Sequence, residues 1–264
     1  MALRRIYIAL VGLLFCTAVL AAEAPSIPAG FTRDASAPVA QVIDGDSLVL
    51  ADGRTVRMAG IQAPKLAKGR MGFQDWPFSH EAETALSELA SGRLVTLLYG
   101  GARLDRSGRV LAQLERTDGL WLEGELLRRG LARVYTFVDN RTGAAEMLRL
   151  ESEARAARLG IWGDPFYAVR TPEETLDHLD SFELVEGRIV DAARVRGTVF
   201  LNFGADWRRA FTVRLRPDAV AMFQAAGVDP LTLKGEKVRV RGYLRRDRDR
   251  AVMDVTHPEE IERL

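Results

Sequence analysis

Val42 to Lys65, VIDGDSLVLADGRTVRMAGIQAPK, decides how this 264-residue chain is read. From Val39 to Val49 the residues alternate and are β-branched on both sides of Asp44-Gly45-Asp46. Asp52-Gly53 is a strong hairpin signal, and Thr55 to Ile61 supplies a third strand that Pro64 ends. The stretch therefore predicts three short strands. They carry two carboxylates on one tight turn, an arginine, Arg57, on the third strand, and a Gly-Ile-Gln-Ala-Pro-Lys corner.

Outward from this meander, Lys65 to Pro77 reads as an exposed loop. Ser79 is placed to cap a helix with Ala82, Ala85, Leu86 and Leu89 on one side and Gly92 as its stop. Arg93 to Tyr99 is a fourth strand, Asp105 to Gly108 a turn, and Arg109 to Glu115 a fifth strand. Helices follow over Leu120 to Arg129 and Ala144 to Arg158, ended by Gly130 and Gly160. The class is mainly β with α. Three strands, a helix and two strands is the order of a five-stranded barrel of the oligonucleotide/oligosaccharide-binding type (OB-fold), with one groove lined by strand faces and loops.

VIDGDS, VRMAGIQAP, the turn DRSGR, LLRRGLARV and the ending LGIW occur in the order and at about the spacings of the staphylococcal nuclease, or thermonuclease-like, family, which this chain resembles over 38–165. The resemblance implies a calcium ion and two arginines acting on a phosphodiester. Residue by residue it assigns Asp46 to the first metal ligand and Arg57 and Arg109 to the phosphate clamp, since guanidinium offers a bidentate fork to phosphate. Gln62 stands where a second carboxylate ligand belongs. Ala63 replaces a threonine whose backbone carbonyl is the ligand. Lys65 occupies the position of the general base.

A charged ammonium has no lone pair to take a proton and repels a cation, while calcium wants several oxygen ligands. Against Asp44 and Asp46 the chain sets Arg57, Arg109 and Lys65, so the groove shifts from holding calcium towards holding an anion directly. The resemblance thus implies calcium as cofactor, and Gln62 and Lys65 oppose it here. Local alternatives stand beside these roles. The Asp44-Gly45-Asp46 carboxylates also serve to cap backbone donors, Arg57 can bridge to Asp46, and Arg109 can be a solvated edge residue. His80 or Glu81 could replace the base, but both suit the first turn of a helix. His80, His178 and His257 lack metal-ligand spacing.

The chain is 47% hydrophobic and 28% charged with a formal net charge of +1, which suits two packed domains and excludes a global basic field. Residues 1–22 have a basic start, an apolar run and a small-residue exit, the pattern of a secretory signal peptide; an uncleaved anchor is the alternative. The only cysteine, Cys16, lies within it. An exported chain follows, periplasmic or secreted, with no stable membrane span after cleavage. Residues 23–37 read as a flexible lead-in and 166–182 as a linker, with Thr171 or Thr175 capping a short helix.

Residues 183–264 repeat the strand–helix–strand order: strands over Glu186 to Val190, Thr198 to Phe203 and Ala210 to Leu215, a helix over Pro217 to Ala226, then Val238 to Leu244 and Ala251 to Thr256. They predict a second small OB-like barrel. Arg241, Tyr243, Arg245 and Arg246 on its last hairpin combine guanidinium with an aromatic and are candidates for nucleic-acid contact. Trp207, beside Arg208 and Arg209, is a second candidate surface. The expected function is a protein that acts on or binds nucleic-acid phosphodiesters, with impaired calcium-dependent hydrolysis and single-stranded nucleic acid or another polyanion as partner. The alternatives are an active nuclease with an altered metal or base, and an envelope protein-interaction module.

Overall fold

The computed structural model describes residues 25–264, so the expected signal peptide and Cys16 lie outside the described residues. The first unit runs β1 (Thr32–Asp44), β2 (Ser47–Leu50), β3 (Thr55–Met58), β4 (Gly60–Gln62), α1 (Ser79–Ala90), β5 (Leu94–Tyr99), β6 (Val110–Arg116), α2 (Leu122–Arg128), β7 (Arg133–Tyr135) and α3 (Ala144–Ala156). Strands β1-β2-β3-β6-β5 close a barrel, with β3 and β6 parallel. Alternation puts Val39, Leu48, Leu50, Val56, Met58, Val95, Leu97, Val110, Ala112 and Leu114 into one core, which α1 to α3 cover with their apolar faces.

Local reading falls short at three places. The lead-in is shorter than expected, because Thr32 to Pro38 pair with β5. Closing the barrel requires β1 to reach both β2 and β5, and its 13 residues do so while satisfying backbone groups that composition alone left unpaired. The third strand breaks at Ala59. Gly60 takes φ +84°, where a Cβ would lie 2.7 Å from the Met147 side chain, and β4 leaves the barrel to pair with β7. Ser79 does not cap α1: Phe78, at φ 64°, holds the cap position, and Ser79 is buried in the first turn with its hydroxyl unpartnered. The linker carries the short helix expected of it, capped by Thr171, and packs against the first unit. Thr171 and Glu174 form a capping box on a 3-10 helix over Pro172–His178, and the Tyr167 hydroxyl donates to Pro77 O at 2.8 Å.

The second unit comprises β8 (Phe182–Arg188), β9 (Asp191–Val195), β10 (Thr198–Asn202), β11 (Thr212–Leu215), α4 (Pro217–Ala225), β12 (Lys237–Asp247), β13 (Arg250–Val255) and β14 (Ile261–Arg263). Its strands lie in one seven-stranded sheet rather than the closed ring traced for the first unit. The pairing order β9-β10-β11-β13-β12-β8, with β11 and β13 parallel, nevertheless repeats that of the barrel. The strand expected over Glu186 to Val190 begins earlier, as β8, which pairs with β12; β9, which pairs with β10, follows buried Ile189 and was not expected.

The two units are joined by polar contacts, those of Arg241 and His257 buried. Arg241 on β12 donates to both carboxylate oxygens of Glu151 on α3, at 3.2 and 2.8 Å, and to Val134 O on β7 at 3.2 Å. The Thr136 hydroxyl lies 2.8 Å from His257 Nε2, and Arg141 pairs with Glu259. No described helix is long and apolar enough to cross a membrane.

Candidate functional site

The turn between β1 and β2 presents Asp44 and Asp46. Gly45 is required between them because a Cβ there would sit 2.7 Å from the Cβ atoms of both Ala63 and Ala82, where the corner and α1 press on the turn. Asp46 is thereby fully buried, and every direction around its carboxylate is occupied. Lys65 Nζ donates to Oδ1 at 2.8 Å and to Oδ2 at 2.7 Å. Ala63 N donates to Oδ2 at 2.8 Å and Ser47 Oγ to Oδ1 at 3.2 Å. Arg57 Nη2 lies 3.3 Å from Oδ2.

Burial by itself pushes the Asp46 carboxyl up, but Arg57, Lys65 and the Ala63 amide outweigh it and bring it down to about 2. Asp44, whose Oδ1 accepts from Asp46 N at 3.1 Å, moves the other way. Burial and the neighbouring Asp46 charge raise it above the ordinary carboxylate range.

An acid depressed on folding contributes stability that is complete above its unfolded value, near 4, and is lost as pH falls towards about 2. The contribution is about 2 kcal/mol. In urea denaturation between pH 6 and pH 2, wild type should lose this increment in the acid limb. Lys65→Met, which removes the largest hydrogen-bonded partner, should show a shallower decline. Parallel pH profiles would refute the assignment.

Arg57 lies with its guanidinium folded inward. Nη1 donates to Met58 O at 2.7 Å and Asp46 O at 3.3 Å, and Nη2 to Ile61 O at 2.8 Å. Together with the Asp46 carboxylate these contacts account for the Nη hydrogens and leave Nε–H. Arg109 contrasts with it. Its Nε donates to Asp105 Oδ2 at 2.7 Å, its side chain is 41% exposed, and its Nη groups have no protein partner among the described residues. Strand parity places it on the same outward face of the barrel as Arg57, since Arg57 is registered against Leu111.

Gln62 is buried and turned away from Asp46. Its Oε1 accepts from Arg133 Nε at 2.9 Å and Nη2 at 2.7 Å, because β4 and β7 place the two residues opposite each other. Arg133 is the residue that reading the sequence missed. It sits inside LLRRGLARV, and only the β4–β7 register reveals its partner. Its guanidinium lies 4.7 Å from the Phe182 ring and 5.8 Å from that of Tyr167.

Calcium, which the family resemblance implies, does not fit these residues. Asp46 has its oxygens engaged by an ammonium and an amide, residue 62 faces a buried guanidinium, and residue 65 is cationic. Among the described residues no group of three or more His, Cys, Asp and Glu side chains is placed to hold a metal. His80 lies 3.1 Å from Asp75 and is 70% exposed, apart from the Asp46 cluster.

The candidates on the last hairpin separate. Arg241 is 1% exposed and spent on Glu151 and Glu262, so it is not available to a ligand; a guanidinium with two carboxylates in reach at the seam is drawn out of solvent. Tyr243 packs its ring against Tyr135 and Phe182, and with Arg245 lines a cavity of about 220 Å³ at the seam. Arg246 is exposed.

A closed five-stranded barrel with helices over its ends and an acidic turn, Arg57 and Arg109 on one face defines an oligonucleotide/oligosaccharide-binding barrel of the nuclease kind. The chain belongs to the staphylococcal nuclease family: the family model described as Staphylococcal nuclease homologue matches residues 55–164. It is 31% identical to a micrococcal nuclease of Shigella flexneri over 149 residues, 53% of this chain and 79% of that protein. It is 33% identical to Protein ParB of Escherichia coli over 144 residues, 48% and 72% of the two chains. With Endonuclease YncB of Bacillus subtilis it shares 34% identity over 132 residues, 48% of this chain but only 61% of that relative's length.

Proposed function

We propose that this chain is an exported member of the family that holds single-stranded nucleic acid, or another polyanion, by its phosphodiesters, with calcium-dependent hydrolysis impaired. One observation carries the reading: Lys65 Nζ lies 2.8 and 2.7 Å from the two oxygens of buried Asp46, so a tethered cation stands where the family's ion and base belong. Lys65 and Arg109 stay partly exposed and supply the positive donors that a phosphate takes. Arg57 orders the corner through backbone carbonyls and keeps only Nε–H for a ligand. Export rests on the N-terminal pattern and places the protein in the periplasm or the medium.

A second reading, hydrolysis with an altered base, is favoured by Asp44, whose raised carboxyl shares the cluster with Lys65.

The test is a single-stranded DNA assay with calcium, magnesium, manganese or chelator. Binding should persist in chelator, weaken steeply with salt and fall roughly tenfold in Lys65→Met, with no cleavage. Calcium-dependent cleavage by wild type would overturn the proposal. Cleavage that survives chelator and is lost in Asp44→Asn would select the second reading.

A further inference from the structure

The outer face of the second unit carries a groove of about 430 Å³ that the Asp46 site does not use. Its floor is Ala193 and Val195 on β9 with Phe200 and Asn202 on β10, and its wall is Trp207 and Arg250. Val195 is 54% exposed and Trp207 50%, so apolar and aromatic surface faces solvent side by side. The indole is held in place rather than trailing. Arg250 donates to Trp207 O at 2.5 Å, and the Arg208 guanidinium lies 4.7 Å from the ring centre. Asn202 is buried and accepts the Thr212 hydroxyl on Oδ1, which leaves its amide donors for an acceptor in the groove.

Charge around the groove is mostly positive, with Asp206 beside Trp207 and Asp249 beside Arg248 as exposed acids. Arg194 and Arg250 are paired with Asp229 and Asp247, and Asp191 at the edge is paired with Lys234. Arg196, Arg208, Arg246 and Arg248 are exposed and carry no salt bridge among the described residues. Arg196 lies in the turn between β9 and β10, at one end of the groove. Arg208 adjoins Trp207 at the other, and Arg246 and Arg248 belong to the hairpin from which Arg250 starts β13. The five residues of β10 span about 13 Å between these ends.

From this arrangement we infer that the groove is a second binding site, for single-stranded nucleic acid. Bases lie on the Trp207, Phe200 and Val195 surface, and the backbone phosphates meet the unpaired arginines. A neutral oligosaccharide would use the aromatic shelf but leave four guanidiniums without a counterion. A duplex would satisfy the arginines but has its base faces stacked away from Trp207. Closed barrels with this pairing order bind along their second and third strands and the adjoining turns; of the corresponding elements here the groove uses β10 and adjoins the β9–β10 turn and the β12–β13 hairpin, with β9 in place of β11. The site extends the proposed nucleic-acid reading to the second unit and is separable from the Asp46–Lys65 cluster by mutation.

The test uses the whole chain and a fluorescently labelled oligothymidylate, followed by anisotropy at several salt concentrations. Trp207→Ala should weaken binding roughly tenfold and Trp207→Phe should restore most of it. Arg208→Gln should lower the slope of log affinity against log salt by about 1. Lys65→Met must leave the Trp207 dependence in place. If Lys65→Met weakens binding while Trp207→Ala does not, the first reading stands and this inference is overturned. Quenching of tryptophan fluorescence by a neutral glucan oligosaccharide, lost in Trp207→Phe and absent with oligothymidylate, would also overturn it. Thermal midpoints within a degree or two of wild type confirm that the variants are folded.

Discussion

Exchanging Gln62 for aspartate and Lys65 for glutamate together is expected to create calcium binding and calcium-dependent cleavage of single-stranded DNA, at least about a hundredfold above wild type. The size follows from restoring a general base, a group that contributes roughly 10²–10⁴ in rate. In the wild-type chain Lys65 Nζ neutralises Asp46 at 2.8 and 2.7 Å, and Gln62 gives its carbonyl oxygen to Arg133. The double exchange removes that cation and adds two carboxylates beside Asp44 and Asp46, the kind of oxygen set that a hard divalent ion takes. Arg133 sets how much is recovered. It stands at 2.9 and 2.7 Å from residue 62 and will compete with calcium for the new carboxylate. Adding Arg133→Gln should therefore tighten calcium from roughly millimolar. Isothermal titration with calcium, beside a cleavage assay, reads both effects. A double variant that neither binds calcium nor cleaves faster than wild type would show that the two departures are not what separates this chain from its family's chemistry.

Arg241→Met should cost about 3–5 kcal/mol of stability, because it leaves Glu151 buried without its main partner. For a chain of this size the thermal midpoint should fall by about 6–15 °C. Burial pushes the Glu151 carboxyl up, and Arg241, ahead of Arg155, holds it below the usual range, so removing Arg241 takes away the larger part of what supports the buried charge. The effect should spread to the site. Arg241 also holds Val134 O; Val134 is registered against Ile61, whose carbonyl accepts from Arg57. Oligonucleotide affinity should therefore fall along with stability. Arg241→Met/Glu151→Met removes both charges and should recover part of the loss. An Arg241 that merely touched nucleic acid would behave oppositely, with lower affinity at an unchanged midpoint.

Much of the fold was legible because its signals are local. Two Asp-Gly turns, period-two alternation and glycines closing helices need only neighbouring residues, and the strand–helix order follows from them. Three features were not legible for the opposite reason. Thr32 to Pro38 look like linker until β5 offers them an edge. Gly60 breaks a continuous β pattern because of Met147, far along the chain on α3. Arg241 looks like one of a row of surface arginines, and its burial depends on Glu151, 90 positions away.

The candidate site divides in the same way. The order of its motifs gave the family, and the side chains at 62 and 65 gave two departures from its pattern, an amide and an ammonium where that pattern has carboxylates. That much the amino-acid sequence determined alone. The tertiary structure decided how each group is spent: Lys65 on Asp46, Gln62 on Arg133, Arg57 on the carbonyls of the corner, Arg241 on the seam, with the Nη groups of Arg109 and the side chains of Arg196, Arg208, Arg246 and Arg248 left to solvent. Ion pairing falls off with distance through space and grows as water is excluded, and neither quantity is written in the spacing of residues along the chain.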